Sequence, residues 1–250
     1  QQPVTISDMR YALFPTPHLT LEQVTIGKLQ EIKINSIVAD VWPFALFTEQ
    51  KDIDSVEVNS VAMDQDVLAM FPGWVKPATG APSLHVGRIS ITAVRMTAKS
   101  MEVPVFNATI TLERNGTLKK ALLTDGKLRI DLAPSDQAWR VNATASNWRP
   151  PFGPPIDFDD LTLTAFIDGQ KAAIKGIEGH IGRGTFTGSA NASWGADIRM
   201  TGDVSLSNAD LGKLLGVFTR DFSAAGTLNL TATYALQAAN LAALFDQPRV

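Results

Sequence analysis

The chain contains no cysteine. That excludes disulfides, thiolate metal sites and a cysteine nucleophile together, and it suits the cytosol and a bacterial envelope equally well. Histidine is nearly as scarce. His18, His85 and His180 stand far apart, with no second histidine three or four positions away and no nucleophile motif beside them, so none belongs to a recognisable acid–base constellation. No run of about 18 apolar residues occurs, which leaves nothing expected to span a bilayer, and no charged-then-apolar leader opens the sequence. Basic clusters are missing too. With 22 Lys and Arg against 25 Asp and Glu, a formal net charge of -3, the linear sequence carries no footprint for nucleic acid or anionic headgroups. Apolar or neutral partners are expected.

What is present is β-patterned and apolar on alternate positions. A length of 250 residues allows one or two domains, and 45% hydrophobic content is enough to build an apolar interior. The stretch 198–234 organises the reading. Ile198, Met200, Val204 and Leu206 alternate with Arg199, Thr201, Asp203 and Ser205, with Gly202 on the apolar side, which is the period of a strand with two unlike faces. Asn208 is then expected to cap a short helix over 209–218, with Asp210 in its first turn and Leu211, Leu214, Leu215 and Phe218 forming its apolar stripe. Leu228, Leu230, Ala232 and Tyr234 return to period two against Thr227, Asn229, Thr231 and Thr233. A second capped helix is expected over 240–245, so strand pair plus short helix occurs twice, a weak internal repeat.

The rest of the chain reads the same way. Strands are expected around Leu19, Leu21, Val24 and Ile26, around Ile32, Ile34, Ile37 and Val38, and over 53–63 with a bulge at Asn59 and Ser60. A helical turn is expected over 44–47. The proline- and glycine-rich stretch 71–83 marks a boundary or loop, dividing an N-terminal β repeat region, 1–79, from a β-groove region, 80–250, with short helices near 209–218 and 240–245. Asn115-Gly116, Asp125-Gly126 and Asp168-Gly169 are hairpin turns by composition. Six glycines within 176–195 point to bulges in a strongly curved sheet.

Chemistry-bearing motifs fare poorly. Gly182, Gly184 and Gly188 have the spacing G-x-G-x-x-x-G and precede a strand rather than a helix, unlike a dinucleotide loop. Asp157, Asp159 and Asp160 are the one carboxylate cluster, and a calcium loop needs more oxygens and a glycine at its turn. Five N-x-S/T tripeptides, beginning with Asn107-Ala108-Thr109, are better read as polar strand faces. No G-x-S-x-G, P-loop or H-E-x-x-H sequence is present. No enzyme, metal or cofactor is expected.

Trp148-Arg149-Pro150 with Gly153-Pro154-Pro155, the strand 161–169, Ala192-Ser193-Trp194, 202–206, 210–215, 225–228 and 241–245, in that order, together with 17–27, resemble the AsmA family of bacterial envelope proteins, relatives of TamB and of bridge-like lipid-transfer proteins. The resemblance implies a mainly β fold, an elongated, curved antiparallel sheet forming an open apolar groove with a few short helices. It further implies a periplasmic location, an inner-membrane anchor preceding this segment, a possible outer-membrane partner, and non-catalytic transfer of phospholipid or other acyl lipid that supports outer-membrane biogenesis. Because the sequence starts inside a patterned segment and stops just after a helix-like one, it is expected to be a piece of something longer or a mature chain with its leader removed. The groove residues expected are Ile110, Leu112, Leu128, Ile130, Leu132, Val141, Leu161, Leu163, Ile198, Met200, Val204, Leu206, Leu228 and Leu230. The alternative is a closed β-sandwich that serves assembly or adhesion without lipid cargo.

Overall fold

The computed structural model describes residues 2–14, 16–41, 51–64, 66–67, 84–98, 103–136, 138–151, 155–218, 225–240 and 243–244. Among the described residues 72% are strand and 5% helical, and the chain divides into two compact units, Gln1–Asp125 and Gly126–Val250. The sequence sets an expected boundary near residue 79. Strands on either side of it are ladder neighbours, and the stretch 71–83 itself lies outside the described residues, as does the turn expected over 44–47.

The first unit holds β1 (Val4–Thr5), β2 (Asp8–Ala12), β3 (His18–Ile26), β4 (Ile32–Val41), β5 (Lys51–Asp64), β6 (Leu84–Thr97), β7 (Phe106–Leu112) and β8 (Leu118–Thr124). β1 and β2 share one edge of β3, and the order then follows the sequence. Pairing is antiparallel except between β5 and β6, which run parallel, a departure from the all-antiparallel expectation. A parallel neighbour cannot be reached by a tight turn and needs a crossover of about a dozen residues or more, which the long 65–83 connection supplies.

Gln23, Ser60 and Ala93 all adopt positive φ, at 50°, 54° and 52°, and the ladders set Ser60 and Ala93 side by side on β5 and β6. Each left-handed residue shifts the side-chain phase of its strand, so that apolar residues three apart share a face. Leu21 thus joins Val24, Val58 joins Val61, and Ile91 joins Val94 in one cluster, with Ile32, Ile34 and Val67. The bulge expected at Asn59 and Ser60 is this feature. Polar side chains span the same line: Thr92 donates to Asn59 Oδ1 at 2.7 Å, and Asn59 donates to Ser36 Oγ at 3.3 Å.

The second unit is simpler: β9 (Leu128–Ser135), β10 (Ala138–Trp148), β11 (Phe158–Asp168), β12 (Lys171–Ile181), β13 (Gly184–Ser193), β14 (Ile198–Asp210), α1 (Leu211–Phe218) and β15 (Thr227–Ala238). Every pair is antiparallel, and spatial order equals sequence order. Register shifts between Ile174 and Ile177 and between Leu206 and Ala209 increase the local twist and curve this open sheet. Glycine permits close approach at one of them: a Cβ on Gly184 would sit 2.6 Å from Ala209 Cα. Among the described residues of either unit, each strand packs substantially on its ladder neighbours and not on a second sheet, and α1 packs on β14.

Helix α1 starts two residues later than expected. Asn208 has φ 55° and belongs to the bulge in β14. Asp210 is the cap instead, its Oδ1 accepting the Lys213 N–H at 3.0 Å, which satisfies one of the unpaired donors of the first turn. Of the second helix expected over 240–245, positions 241, 242 and 245 lie outside the described residues; Asn240 Oδ1 accepts the Ala243 N–H at 2.9 Å, and its carbonyl accepts the Leu244 N–H.

Candidate functional site

Side chains directly opposite in a ladder lie on the same face, so the register assigns faces without ambiguity. In the second unit one row across the sheet reads Ile130, Ala143, Leu163, Ile177, Gly188, Val204, Ala232. The next reads Leu132, Val141, Ala165, Ile174, Ala190, Gly202, Tyr234. Leu128, Ala145, Leu161, Gly179, Phe186, Leu206 and Leu230 form a third, and Met200 with Leu236, Ile198 with Ala238, and Ala209 with Leu228 extend the same face. Twelve of the expected groove residues are thereby brought together: Leu128, Ile130, Leu132, Val141, Leu161, Leu163, Ile198, Met200, Val204, Leu206, Leu228 and Leu230. The remaining two, Ile110 and Leu112, lie in the first unit. There Ile110 pairs with Ile89 and Ala121, and Leu112 with Leu118, on the apolar side of that sheet.

The packing of this face has a consistent pattern. Small residues such as Ala145, Ala165 and Ala190 are buried between taller neighbours, whereas Leu128, Ile130, Leu163, Met200 and Val204 are only half-buried and Leu230 is 48% exposed. Covering by neighbours in the plane, without a second layer, produces that pattern. Among the described residues no polar or charged side chain is buried. Cover is found at one end. Leu214 of α1 packs with Leu206, Ala209, Phe186, Ile181 and Leu228, and Ile156 joins them, which places the helix over strand ends rather than the middle of the sheet. Phe158 meets Phe186 edge-to-face there, with ring centroids 5.5 Å apart.

The opposite face carries Arg129, Asp131, Arg140, Asn142, Thr144, Asp160, Thr162, Glu178, Thr187, Asp203 and Ser205. The aspartate cluster separates into three unrelated contacts on this side and its rim. Asp157 pairs with Arg149 at 2.5 Å across the proline-rich loop; that hydrogen bond, with the guanidinium charge, holds the Asp157 carboxyl below its ordinary range and Arg149 above its own. Asp159 accepts the Gly182 N–H at 2.6 Å. Asp160 and His180 are ladder partners with Nδ1 2.9 Å from the carboxylate. Gly182 and Arg183 form the two-residue turn between β12 and β13, so the glycine motif there makes a hairpin. His18 is engaged with the Thr16 carbonyl at 2.8 Å, in the other unit from His180.

Two depressions in the second unit, of about 510 and 320 Å³, open mainly on the polar side. The apolar side belongs to an open sheet. Phe166 stands on the polar face opposite Arg140, an aromatic residue that the alternation of Leu161, Leu163 and Ala165 does not single out. No helix among the described residues is long and apolar enough to cross a membrane. Comparison with protein-family models, with curated proteins and with solved structures returns no match.

Proposed function

We propose that this chain is a non-catalytic lipid-carrying segment whose apolar sheet face holds acyl chains. The observation that supports the reading is the register of β9 to β15, which lines up aliphatic side chains across seven strands with no second sheet of that unit over them. Soluble proteins seldom leave a contiguous apolar patch beyond a few hundred Å² uncovered, and those that do use it to bind. An acyl chain suits such a face because it needs no directional partner and gains about 0.8 kcal/mol per buried methylene. Side chains reaching into it from Leu, Ile, Val and Met offer contact without hydrogen-bonding groups to satisfy.

The resemblance to AsmA-like proteins supplies the setting of this proposal: a periplasmic segment, tethered to the inner membrane through a preceding anchor, that passes phospholipid or another acyl lipid toward the outer membrane and possible partners there. The alternative, a closed sandwich without lipid, is less well supported because a sandwich needs a second sheet over the first, and among the described residues the strands of the second unit pack mainly on their ladder neighbours and β14 on α1.

The experiment is mass spectrometry of organic extracts of the chain purified from bacterial envelopes. Phospholipid above the level carried by a closed-sandwich control is the expected result. Absence of any such excess would overturn the reading.

A further inference from the structure

The linear sequence has no basic cluster, but the fold makes one on the polar face of the second unit. Lys171, at the start of β12, pairs with Ser193, at the end of β13, and Ser193 pairs in turn with Arg199 on β14. The full cross-strand row at the sheet rim is Asp168, Lys171, Ser193, Arg199 and Gln237, and within it Lys171 and Arg199 flank the Ser193 hydroxyl, with β12 and β14 about 10 Å apart. Two side chains of that length can close on a single anion held between them. The next row inward is Phe166, Ala173, Asn191 and Thr201. Both rows line the depression of about 510 Å³.

Two features point to a ligand. Neither Lys171 nor Arg199 forms an ion pair or side-chain hydrogen bond among the described residues, although Asp168 is the ladder partner of Lys171 and lines the same hollow. The floor beside the cations is apolar: Phe166 and Ala173 are ladder partners, and Phe166 supplies a ring within reach of the charged row. Arg140, opposite Phe166, adds a further cation at the margin.

We infer that this depression binds an oxyanion that carries an apolar group next to its charge, such as a phosphate or carboxylate amphiphile. Lys171 and Arg199 take the charge, where ionised hydrogen bonds are stronger than neutral ones. The Ser193 hydroxyl and the Asn191 amide supply neutral donors, and the Phe166 ring takes the apolar body. The site lies across the sheet from the proposed acyl-chain face and stands whether or not that face carries lipid.

The test titrates octyl phosphate, below its micelle-forming concentration, into the full chain, with inorganic phosphate in parallel. Saturable binding of octyl phosphate is expected, weakened about tenfold by Lys171→Gln or by Arg199→Gln, as loss of a charged hydrogen bond commonly does. Phe166→Ala should bring octyl phosphate down to the affinity of inorganic phosphate and leave the latter unchanged. Thr144→Ala, on the same polar face but outside the depression, should leave both unchanged. Lys171 and Arg199 are exposed, and circular dichroism verifies the fold of each variant. Vesicles of phosphatidylcholine with and without phosphatidic acid identify the source: charge-dependent vesicle binding assigns a membrane headgroup, and its absence alongside octyl phosphate binding assigns a free amphiphile. Octyl phosphate binding that is absent, or equal in wild type and in the Lys171→Gln, Arg199→Gln double variant, overturns the inference.

Discussion

Tyr234 lays its hydroxyl over Gly202. The two are ladder partners on β15 and β14, and a Cβ at position 202 would come within 2.7 Å of the phenolic oxygen and closer still to the Ser189 carbonyl. Glycine at 202 is thus a packing requirement of the apolar face, where the strand pattern otherwise asks for a bulky residue. Gly202→Ala is expected to destabilise the second unit by about 1–3 kcal/mol, the usual cost of overpacking. Tyr234→Ala in the same chain should restore part of that loss and leave the part due to the Ser189 carbonyl. Urea denaturation of the single and double variants measures both.

The same tyrosine gives the chain an alkaline sensitivity. Partial burial, with the Asp203 charge adding, pushes the phenol above its ordinary 10.0. The folded chain therefore holds this proton more tightly than the unfolded chain. Stability from the group is complete below the unfolded value and is lost as pH rises through the higher folded value. The urea midpoint should fall more steeply above about pH 10 in the wild type than in Tyr234→Phe; parallel curves would show that the phenol is not protected.

Asp210 fixes where β14 becomes helix. Its carboxylate accepts the Lys213 N–H, and α1 then carries Leu214 onto Leu206 and Ala209. Asp210→Ala should cost about 1 kcal/mol, and Asp210→Asn, which keeps an acceptor, much less. Leu214→Ala should cost more, about 2 kcal/mol or above, because it opens a space beneath the helix. Thermal unfolding of the three variants gives the ranking; equal effects would mean that the cap does not hold the helix.

Much of this architecture was legible because strands leave a two-residue period in the sequence. Leu128, Ile130 and Leu132, or Ile198, Met200, Val204 and Leu206, reveal their shared face by alternation alone. The switch of phase at Ser60 was legible as well, since Val58 and Val61 are both apolar at a spacing no regular strand allows. Periodicity is silent about which strand lies beside which. The parallel pairing of β5 with β6 depends on a crossover, and the division between Asp125 and Gly126 on where contacts thin; neither leaves a local mark. The start of α1 was misplaced because Asn208 and Asp210 are equally good caps by residue type, and the bulge that claims Asn208 is set by Asn229, whose Oδ1 accepts the Asn208 N–H. The row of Lys171, Ser193 and Arg199 joins residues from three strands, so no window of sequence contains it.

The central claim is that the apolar face is open and carries acyl chains, and Leu163, half-buried between Ala143 and Ile177 near the middle of the second unit, tests it most directly. On an open face the carboxylate of Leu163→Asp can be hydrated, whereas in a closed core it would be buried unpaired at a cost of several kcal/mol, a large part of a domain's stability. Thr144→Asp, on the polar face opposite Arg129, is the control. The measurement is crosslinking to a photoactivatable phospholipid, with thermal melting of the same samples. Leu163→Asp should melt close to the wild type and lose most of its crosslinking, while Thr144→Asp keeps both. Unfolding of Leu163→Asp, or a folded variant that crosslinks lipid as well as the wild type, would contradict it.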